Sequence, residues 1–263
     1  MSTVSIVATV EATHVPPRVR LDVTDAGSPE LFAVTVTRLN PDGRRVPVRT
    51  GDGNPLQLTT SGLTRVGLIY DYEAPFGSLV SYSTTEDPTT TSNEVAVPET
   101  RVWLIHPGVP ALSTPVAVAE FGSRTLPVQR NVLYPMGRRT PHVQTQGVRH
   151  APESTIELRV SSLVELASLE ALTADASPLL LNIPATLGWG VPTSYISVGD
   201  IEEQRLIGYA ADPNRYYVLP YVEVDRPAGG SQAQRTFVDL LMFATFADLQ
   251  AAYVDFADVL AGP

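Results

Sequence analysis

Residues 155–184, TIELRVSSLVELASLEALTADASPLLLNIP, contain the pattern that decides the fold of this chain. The apolar and polar residues of 155–160 alternate, which predicts a half-buried β-strand. Residues 178–184 form a continuous apolar run between two prolines, and this pattern predicts a central strand. A helical pattern separates the two strands, so the segment is expected to fold as strand, helix and strand.

The helix is predicted over residues 162–174. Ser162 stands three residues before Glu165, which is the spacing of a capping box at a helix start. The leucines that follow recur every three residues along one side: Leu163, Leu166, Leu169 and Leu172. Such a stripe is typical of a helix that packs one face on a sheet.

The sequence around this segment predicts short strands and no other long helix. Strands are predicted at 101–105, 116–120, 194–198, and 201–210 paired with 216–225. Residues 126–150 contain several prolines and glycines and are predicted to be extended and rich in loops. We expect residues 99–227 to form a β-barrel or sandwich that carries the helix.

Residues 1–98 show a run of short alternating segments with turn residues between them. The candidate strands are 5–13, 18–24, 32–40, 45–49, 57–59, 64–72, 79–84 and 94–98. The turn at 40–43 ends in Asp42-Gly43, which tolerates the positive φ of a hairpin turn. This density of strands predicts a β-sandwich. The whole chain is therefore predicted to be all-β, with two β domains, the second with one packed helix.

The composition limits the chemistry of the chain. Its 263 residues include no Cys, and all 18 basic residues are Arg. Disulfides and thiolate metal sites are therefore excluded. The N-terminus has no basic and apolar leader pattern, and no apolar run approaches the length of a membrane span. We expect a protein that is made in the cytosol, with no membrane insertion.

Charge is distributed unevenly along the chain. Residues 1–152 are formally neutral, whereas 153–263 carry the whole net charge of −10. An acidic half argues against binding to nucleic acid or to an anionic membrane. The residues of the predicted interface loop are Arg130, Arg138, Arg139 and Arg149, with Arg124 nearby. This loop either docks on an acidic surface of an identical copy or is a solvated loop with scattered arginines.

The last residues repeat a Thr-or-Asp, Phe, apolar, Asp pattern every nine to ten residues. Each unit is predicted to begin a short helix whose apolar residues must be buried outside the unit. The predicted docking residues are Phe237, Leu240, Phe246, Leu249, Phe256 and Val259. Residues 228–263 thus form a hinge and a docking tail, which binds a neighbouring subunit or caps its own domain.

No catalytic or metal-binding pattern stands out. His14, His106, His142 and His150 lack ligand spacing, and residues 51–54 are predicted to be a turn. Glu202 and Glu203 are adjacent in a predicted strand and are expected to point to opposite faces, whereas Asp71 and Glu73 share a face beside a turn and are expected to be an exposed pair. Neither pair is predicted to be the two carboxyls of a glycoside hydrolase. We therefore expect no enzyme activity, no cofactor and no metal.

The two tryptophans are predicted to have different roles. Trp103 lies in an apolar strand and is expected in the core. Trp189 lies between two glycines with Tyr195 close behind, so these two aromatic residues are a candidate platform for a host-surface glycan. The alternative is that Trp189 packs over the barrel or against a neighbouring subunit.

Residues 1–98 resemble a fibronectin type III or related immunoglobulin-like module, on the order of patterns from 32–36 through 70–73 to 92–98. The order of elements in 101–227 resembles the distal tail and minor tail proteins of long-tailed bacteriophages. The repeat in 236–260 resembles the end of minor tail proteins of actinobacterial phages, which usually have Trp where Phe stands here. No catalytic residues carry over from that pattern.

The resemblance implies a structural virion protein of the phage tail tip. Such a subunit would form a homo-oligomeric ring, hexameric in the favoured case and trimeric in the alternative. The ring would join the tail tube to the baseplate or receptor-binding apparatus. A carbohydrate-binding module for host adsorption remains the second functional hypothesis.

Overall fold

The computed structural model describes residues 4–26, 33–51, 55–61, 64–85, 91–134, 136–145, 147–206 and 212–230. Over these ranges the chain is all-β with one α-helix, as predicted from the sequence. No helix of the described ranges is both long and apolar enough to cross a bilayer.

The first half of the chain forms two main layers of antiparallel strands. Its strands are β1 (Val4–Glu11), β2 (Arg18–Asp25), β3 (Ala33–Val34), β4 (Val36–Leu39), β5 (Arg45–Pro47), β6 (Leu56–Gln57), β7 (Thr59–Ser61), β8 (Thr64–Asp71) and β9 (Ser81–Thr84). One sheet has the order β1-β2-β8-β7, and facing strands form the sheet β5-β4-β9 and the pair β3-β6. Alternate residues of β1 are buried and exposed, as expected for a strand with one face on the core.

Three sequence predictions in this half can be compared with the strands. At the 40–43 turn, Gly43 has φ of +81° and donates its N–H to Asn40 O at 2.9 Å. The predicted strand 32–40 is divided at Thr35, because Val34 pairs with β6 whereas Val36 pairs with β9. The predicted strand 94–98 is wrong, since Val95 and Val97 make only isolated bridges.

The second half of the chain contains a closed barrel. Its elements are β10 (Val102–Ile105), β11 (Thr114–Phe121), β12 (Arg130–Leu133), β13 (His142–Thr145), β14 (Glu153–Val160), α1 (Leu163–Thr173), β15 (Leu179–Asn182), β16 (Ser194–Val198), β17 (Glu202–Arg205) and β18 (Arg215–Val224), with 3-10 turns at Pro110–Leu112 and Ala185–Leu187. Six strands follow the order β14-β11-β10-β15-β16-β18, and β18 pairs with β14 to close the ring. β17 is not part of this ring of six; it pairs antiparallel with residues 215–218 of β18, while β16 pairs with residues 221–224.

Helix α1 begins and ends where the sequence predicts. Ser162 is the N-cap, and its Oγ accepts the Glu165 N–H at 3.2 Å. Three leucines of the stripe join the core inside the barrel: Leu166, Leu169 and Leu172. The prediction for Leu163 is wrong, because this side chain is 63% exposed at the first helical position.

The strands β10 and β15 are buried on both faces. Leu104 and Leu181 point into the barrel, whereas Trp103, Ile105 and Leu180 belong to the core cluster of the sandwich. The two halves therefore share one continuous apolar junction rather than a flexible linker. This double burial explains why the sequence of β15 is a continuous apolar run.

Asn182 provides the central polar contact of the junction. It is fully buried at the end of β15, where its Nδ2 donates to Ala74 O at 2.9 Å. Its Oδ1 accepts the Phe76 N–H at 3.3 Å. Both backbone groups belong to the sandwich, so a side chain of the barrel satisfies polar groups that would otherwise be buried without a partner.

A buried ion cluster holds the end of the barrel domain against the sandwich. The Glu73 carboxylate binds Arg49 at 3.0 Å and also contacts Arg226. Arg49 further donates to the carbonyls of Pro227, at 2.8 Å, and Gly229. The chain leaving β18 is thereby fixed beside Glu73.

Glu99 and Arg101 stabilise the short connection between the two halves. The Glu99 carboxylate accepts the backbone N–H groups of Thr100 and Arg101, at 2.8 and 2.9 Å, and pairs with the Arg101 guanidinium. Desolvation raises the pKa of Glu99, but the hydrogen bonds and the Arg101 charge lower it by more. The net effect is a pKa lowered to about 2.

We predict that Asn182→Ala lowers the free energy of unfolding by about 2–3 kcal/mol, because it leaves two buried backbone groups unpaired. Urea denaturation would measure the change. The control Asn131→Ala, in the exposed strand β12, should change stability by less than about 0.5 kcal/mol. Equal effects of the two substitutions would contradict the role assigned to Asn182.

We also predict an acid-dependent contribution from Glu99. Because its pKa is lowered on folding, its contribution is complete above pH 4.5 and is lost as the pH falls from 4.5 towards 2. Glu99→Gln should reduce the loss of stability in that window by on the order of 1 kcal/mol, after solvent screening. The readout is the unfolding free energy against pH, with the exposed Glu94→Gln as control. Parallel curves for wild type and Glu99→Gln would refute it.

Candidate subunit-docking site

A long hairpin projects from the barrel between β11 and β14. We call residues 122–152 the arm. The barrel ladder continues into it, from Gly122 N–H bonded to Thr155 O at 2.7 Å to the bridge between Thr125 and Glu153. The same hairpin then pairs β12 with β13 as a separate two-stranded sheet. Between the bridge at Thr125 and the first residue of β12, Arg130, the chain has no regular secondary structure.

The arm carries large apolar side chains that are exposed. Tyr134 is 75% exposed, and Met136, at the tip, is fully exposed. The others are Leu126, Leu133, Val143 and Val148. An isolated two-stranded hairpin is marginally stable in water, and a cluster of exposed apolar side chains is typical of a protein-binding surface.

The arm is also strongly cationic. Residues 121–152 contain five arginines and no acidic residue, so their formal net charge is +5. Because the whole chain has a net charge of −10, the remaining residues have a net charge of −15. Arg124 pairs with Glu223 at 2.9 Å, and Arg149 donates to Leu126 O at 3.2 Å within the arm. In the described residues, no ion pair involves Arg130, Arg138 or Arg139. The structure thus brings the predicted interface arginines onto one projecting element.

An acidic row lies on the outside of the same barrel. In the strand register, Glu120 of β11 lies opposite Glu157 of β14. Val218 of β18 lies opposite Glu157 on one side and opposite Glu202 of β17 on the other. Paired residues project to the same face, and Glu157 lies between the inward-facing residues of β14, so this face is the exterior. We call Glu120, Glu157 and Glu202 the acidic row. Across the described ranges, none of its three carboxylates forms an ion pair.

The sequence predicted the interface arginines, but neither the hairpin that carries them nor the acidic row. The sequence predicts 126–150 to be extended and rich in loops, and it does not locate the short antiparallel pair that β12 and β13 form within this stretch. The prolines that suggested a loop are compatible with a two-stranded ribbon, in which every strand is an edge. The acidic row was missed because its members are brought together only by the barrel register. A signal for the arm was nevertheless present, since residues 121–152 contain no acidic side chain.

The candidate glycan platform is not a single surface. Trp189 is 46% exposed and packs edge-on against Phe121, with ring centroids 5.8 Å apart. Tyr195 instead packs against the sandwich core, and burial, with the nearby Glu73 charge, raises its pKa above the ordinary range. The prediction that Tyr195 shares a stacking surface with Trp189 is therefore wrong. Trp103 lies in the core as predicted, with 1% of its surface exposed.

The carboxylate pairs also differ from expectation in one case. Glu202 and Glu203 are both exposed on β17. Asp71 and Glu73 are buried rather than exposed; Asp71 accepts two hydrogen bonds from Arg38, at 2.7 and 2.9 Å, while Glu73 belongs to the ion cluster of the junction. Their arginine partners hold these carboxylates in structural contacts.

The histidines do not assemble into a site. His106 is buried, and its Nδ1 accepts the Val109 N–H at 2.9 Å while Nε2 bonds to Asp175 at 3.0 Å. Among the described residues, no three carboxylates or imidazoles are grouped closely enough to hold a metal ion. Residues 52–54 of the predicted turn lie outside the described ranges.

The predicted docking tail also lies outside the described residues, which end at 230. A scan against protein-family models finds no match to this chain, and a search of curated proteins finds no significant relative. The arm, the acidic row and the junction are therefore the features of this chain that bear on its function.

Proposed function

We propose that this protein is a structural subunit that assembles by inserting its arm against the barrel of an adjacent copy. The observation that carries this proposal is the arm itself, a cationic hairpin with large apolar side chains exposed at its tip. A side chain such as Tyr134 or Met136 gains roughly 1.5–3 kcal/mol when it is fully buried. Docking against a second subunit supplies that burial.

Charge complementarity supports the choice of an identical partner. The arm has an excess of five positive charges, and the acidic row presents three carboxylates without ion pairs among the described residues. Glu120 and Glu157 are cross-strand neighbours, an arrangement that is unfavourable for like charges until a cation approaches. An arginine of the next subunit relieves this repulsion.

The geometry of such a contact favours a ring. The arm and the acidic row are different surfaces, so each subunit donates one and accepts the other in a head-to-tail contact. Head-to-tail contacts generate a closed ring when the rotation between copies is a whole fraction of a turn. We propose a hexameric ring, with a trimer as the alternative.

The likeness of residues 101–227 to phage distal tail proteins supports a more specific role. We propose a subunit of the tail tip of a long-tailed phage, located in the virion, that joins the tail tube to the baseplate. The rigid junction suits this role, because a ring that transmits load requires its two β domains to move as one unit.

Reversal of the arm charges tests the proposal. We predict that the wild-type chain forms a closed oligomer whose mass is a multiple of 28.3 kDa. Arg130→Glu, Arg138→Glu and Arg139→Glu together should weaken association by about a hundredfold or more, because like charges then face each other. Analytical ultracentrifugation would measure the masses.

The matched control reverses Arg44 and Arg45, which are exposed on the sandwich hairpin and should leave assembly unchanged. A compensating variant, Glu120→Arg with Glu157→Arg and Glu202→Arg, should restore assembly in the background of the reversed arm. A wild-type chain that stays monomeric at high concentration, alone and with tail-tube partners, would refute the proposal. Assembly that survives reversal of the arm charges would also refute it.

A second candidate function is glycan binding at Trp189. The partial exposure of its indole, between Gly188 and Gly190 at positive φ, favours this alternative. Here we predict that Trp189→Ala abolishes binding to a host-surface glycan array while the thermal unfolding midpoint changes little. The matched substitution Tyr134→Ala, which removes an exposed aromatic residue from the arm, should leave glycan binding intact. Absence of glycan binding by the wild-type chain would dismiss this function.

A further inference from the structure

A groove crosses the barrel wall beside the root of the arm. Three residues that lie side by side form its floor. Thr155 of β14 lies opposite Pro220 of β18, and Gly199 donates its N–H to Pro220 O at 2.8 Å. The groove has a volume of about 440 Å³, far above the roughly 30 Å³ that one water molecule occupies in the liquid. It therefore has room for side chains of a partner, and we call Thr155, Pro220 and Gly199 the groove floor.

The groove floor faces the outside of the barrel. Ile156 of β14 and Leu219 of β18 belong to the barrel core. Successive residues of a strand point to opposite sides, so Thr155 and Pro220, which are next to them in the chain, point outward. Gly199 is exposed. The groove is therefore open to a second molecule.

Carboxylates border the groove on two sides. Along β14, Glu153 and Glu157 lie two residues to either side of Thr155, so both project from the same face about 7 Å away from it. Glu153 lines the groove itself, and Glu157 belongs to the acidic row. Within the part of the chain that the structure describes, neither carboxylate forms an ion pair. A cationic partner is thus favoured at either edge of the floor.

The tip of the arm carries the complementary groups at a comparable spacing. Met136 is fully exposed, and Arg138 and Arg139 follow it after a single glycine. Two residues span at most about 7 Å, which is close to the separation of Thr155 from Glu157. Methionine is unbranched and flexible, so it fills irregular apolar surfaces well. A methionine seated on the floor brings the arginine that follows it within reach of the carboxylate.

We propose that the groove receives the arm tip of a second copy of this chain, with Met136 on the groove floor and Arg138 beside Glu157. This assignment rests on the proposed assembly through the arm and names the surface that accepts it. Ser123 and Thr125, at the root of the receiving copy's own arm, also line the groove. Each arm then lies against the root of the next, so the contact repeats from copy to copy as a head-to-tail assembly requires.

A side chain that fills the groove tests the proposal. A Cβ at Gly199 would make only ordinary van der Waals contact, with Pro220 O as its nearest atom at 3.5 Å, so Gly199→Leu is compatible with the folded wall. Because the added side chain occupies the floor, we expect Gly199→Leu to weaken association of the full-length chain about tenfold or more. Analytical ultracentrifugation would measure the association constant, and the thermal unfolding midpoint would report on folding.

Thr9→Leu is the matched control, since it adds the same side chain at an exposed position of β1 on the sandwich. This control should leave association unchanged. An association constant of Gly199→Leu equal to that of the wild-type chain would overturn the proposal. Equal weakening by Thr9→Leu would also overturn it, because the effect would then not depend on the groove.

Disulfide trapping locates the contact directly, since the natural chain has no Cys. Full-length chains with Met136→Cys are mixed under mild oxidation with tagged full-length chains that carry Gly199→Cys. A disulfide requires Cβ atoms about 4 Å apart, so we expect about tenfold more mixed dimer from this pair than from Met136→Cys mixed with Thr9→Cys. Non-reducing electrophoresis would measure the yields, and equal yields from the two mixtures would overturn the proposal.

The double variant with Met136→Cys and Gly199→Cys in one chain distinguishes a second copy from the same chain. Oxidation should produce covalent oligomers of increasing mass if each arm reaches the groove of the next copy. A monomer with an internal disulfide would overturn the assignment to a second copy.

The outcomes also separate this proposal from the assembly on which it rests. A wild-type chain that assembles, and that dissociates when the arm charges are reversed, confirms that the arm is needed. If that chain neither responds to Gly199→Leu nor forms the mixed disulfide, only the groove is refuted as the acceptor. A wild-type chain that stays monomeric and gives no mixed disulfide refutes both proposals.

Discussion

The burial of β10 and β15 on both faces is the constraint on which the rest of the structure depends. Leu104 and Leu181 form part of the barrel interior, while Trp103 and Leu180 complete the core of the sandwich. Neither half can therefore close its apolar core without the other. Asn182 and Glu73 satisfy the polar groups that this arrangement buries.

The junction also determines where the two candidate interaction surfaces lie. The barrel wall formed by β10, β15 and β16 faces the sandwich, so the exposed wall is the one formed by β11, β14 and β18. The arm and the acidic row both belong to that exposed wall. A subunit with one covered side and one open side presents its charged elements only to the outside.

Local patterns in the sequence predicted much of the fold. The N-cap at Ser162 and the alternation in β14 depend on neighbours within a few residues, and both were found as predicted; the Glu165 carboxylate of the predicted capping box accepts from Ser161 instead of Ser162. The failures at Leu163 and Tyr195 have a different cause, since their surroundings are created by distant segments. The acidic row, likewise, depends on the register of four strands, which no single stretch of sequence encodes.

The position of Trp103 gives the molecule an internal spectroscopic reporter. One of the two tryptophans is enclosed in the apolar junction, and the other is nearly half exposed at the root of the arm. Indole emission shifts to longer wavelength when water reaches the ring. Separation of the two β domains would thus produce a red shift from Trp103, whereas burial of Trp189 by a neighbour would produce a blue shift. The same emission spectrum distinguishes opening within a subunit from contact between subunits.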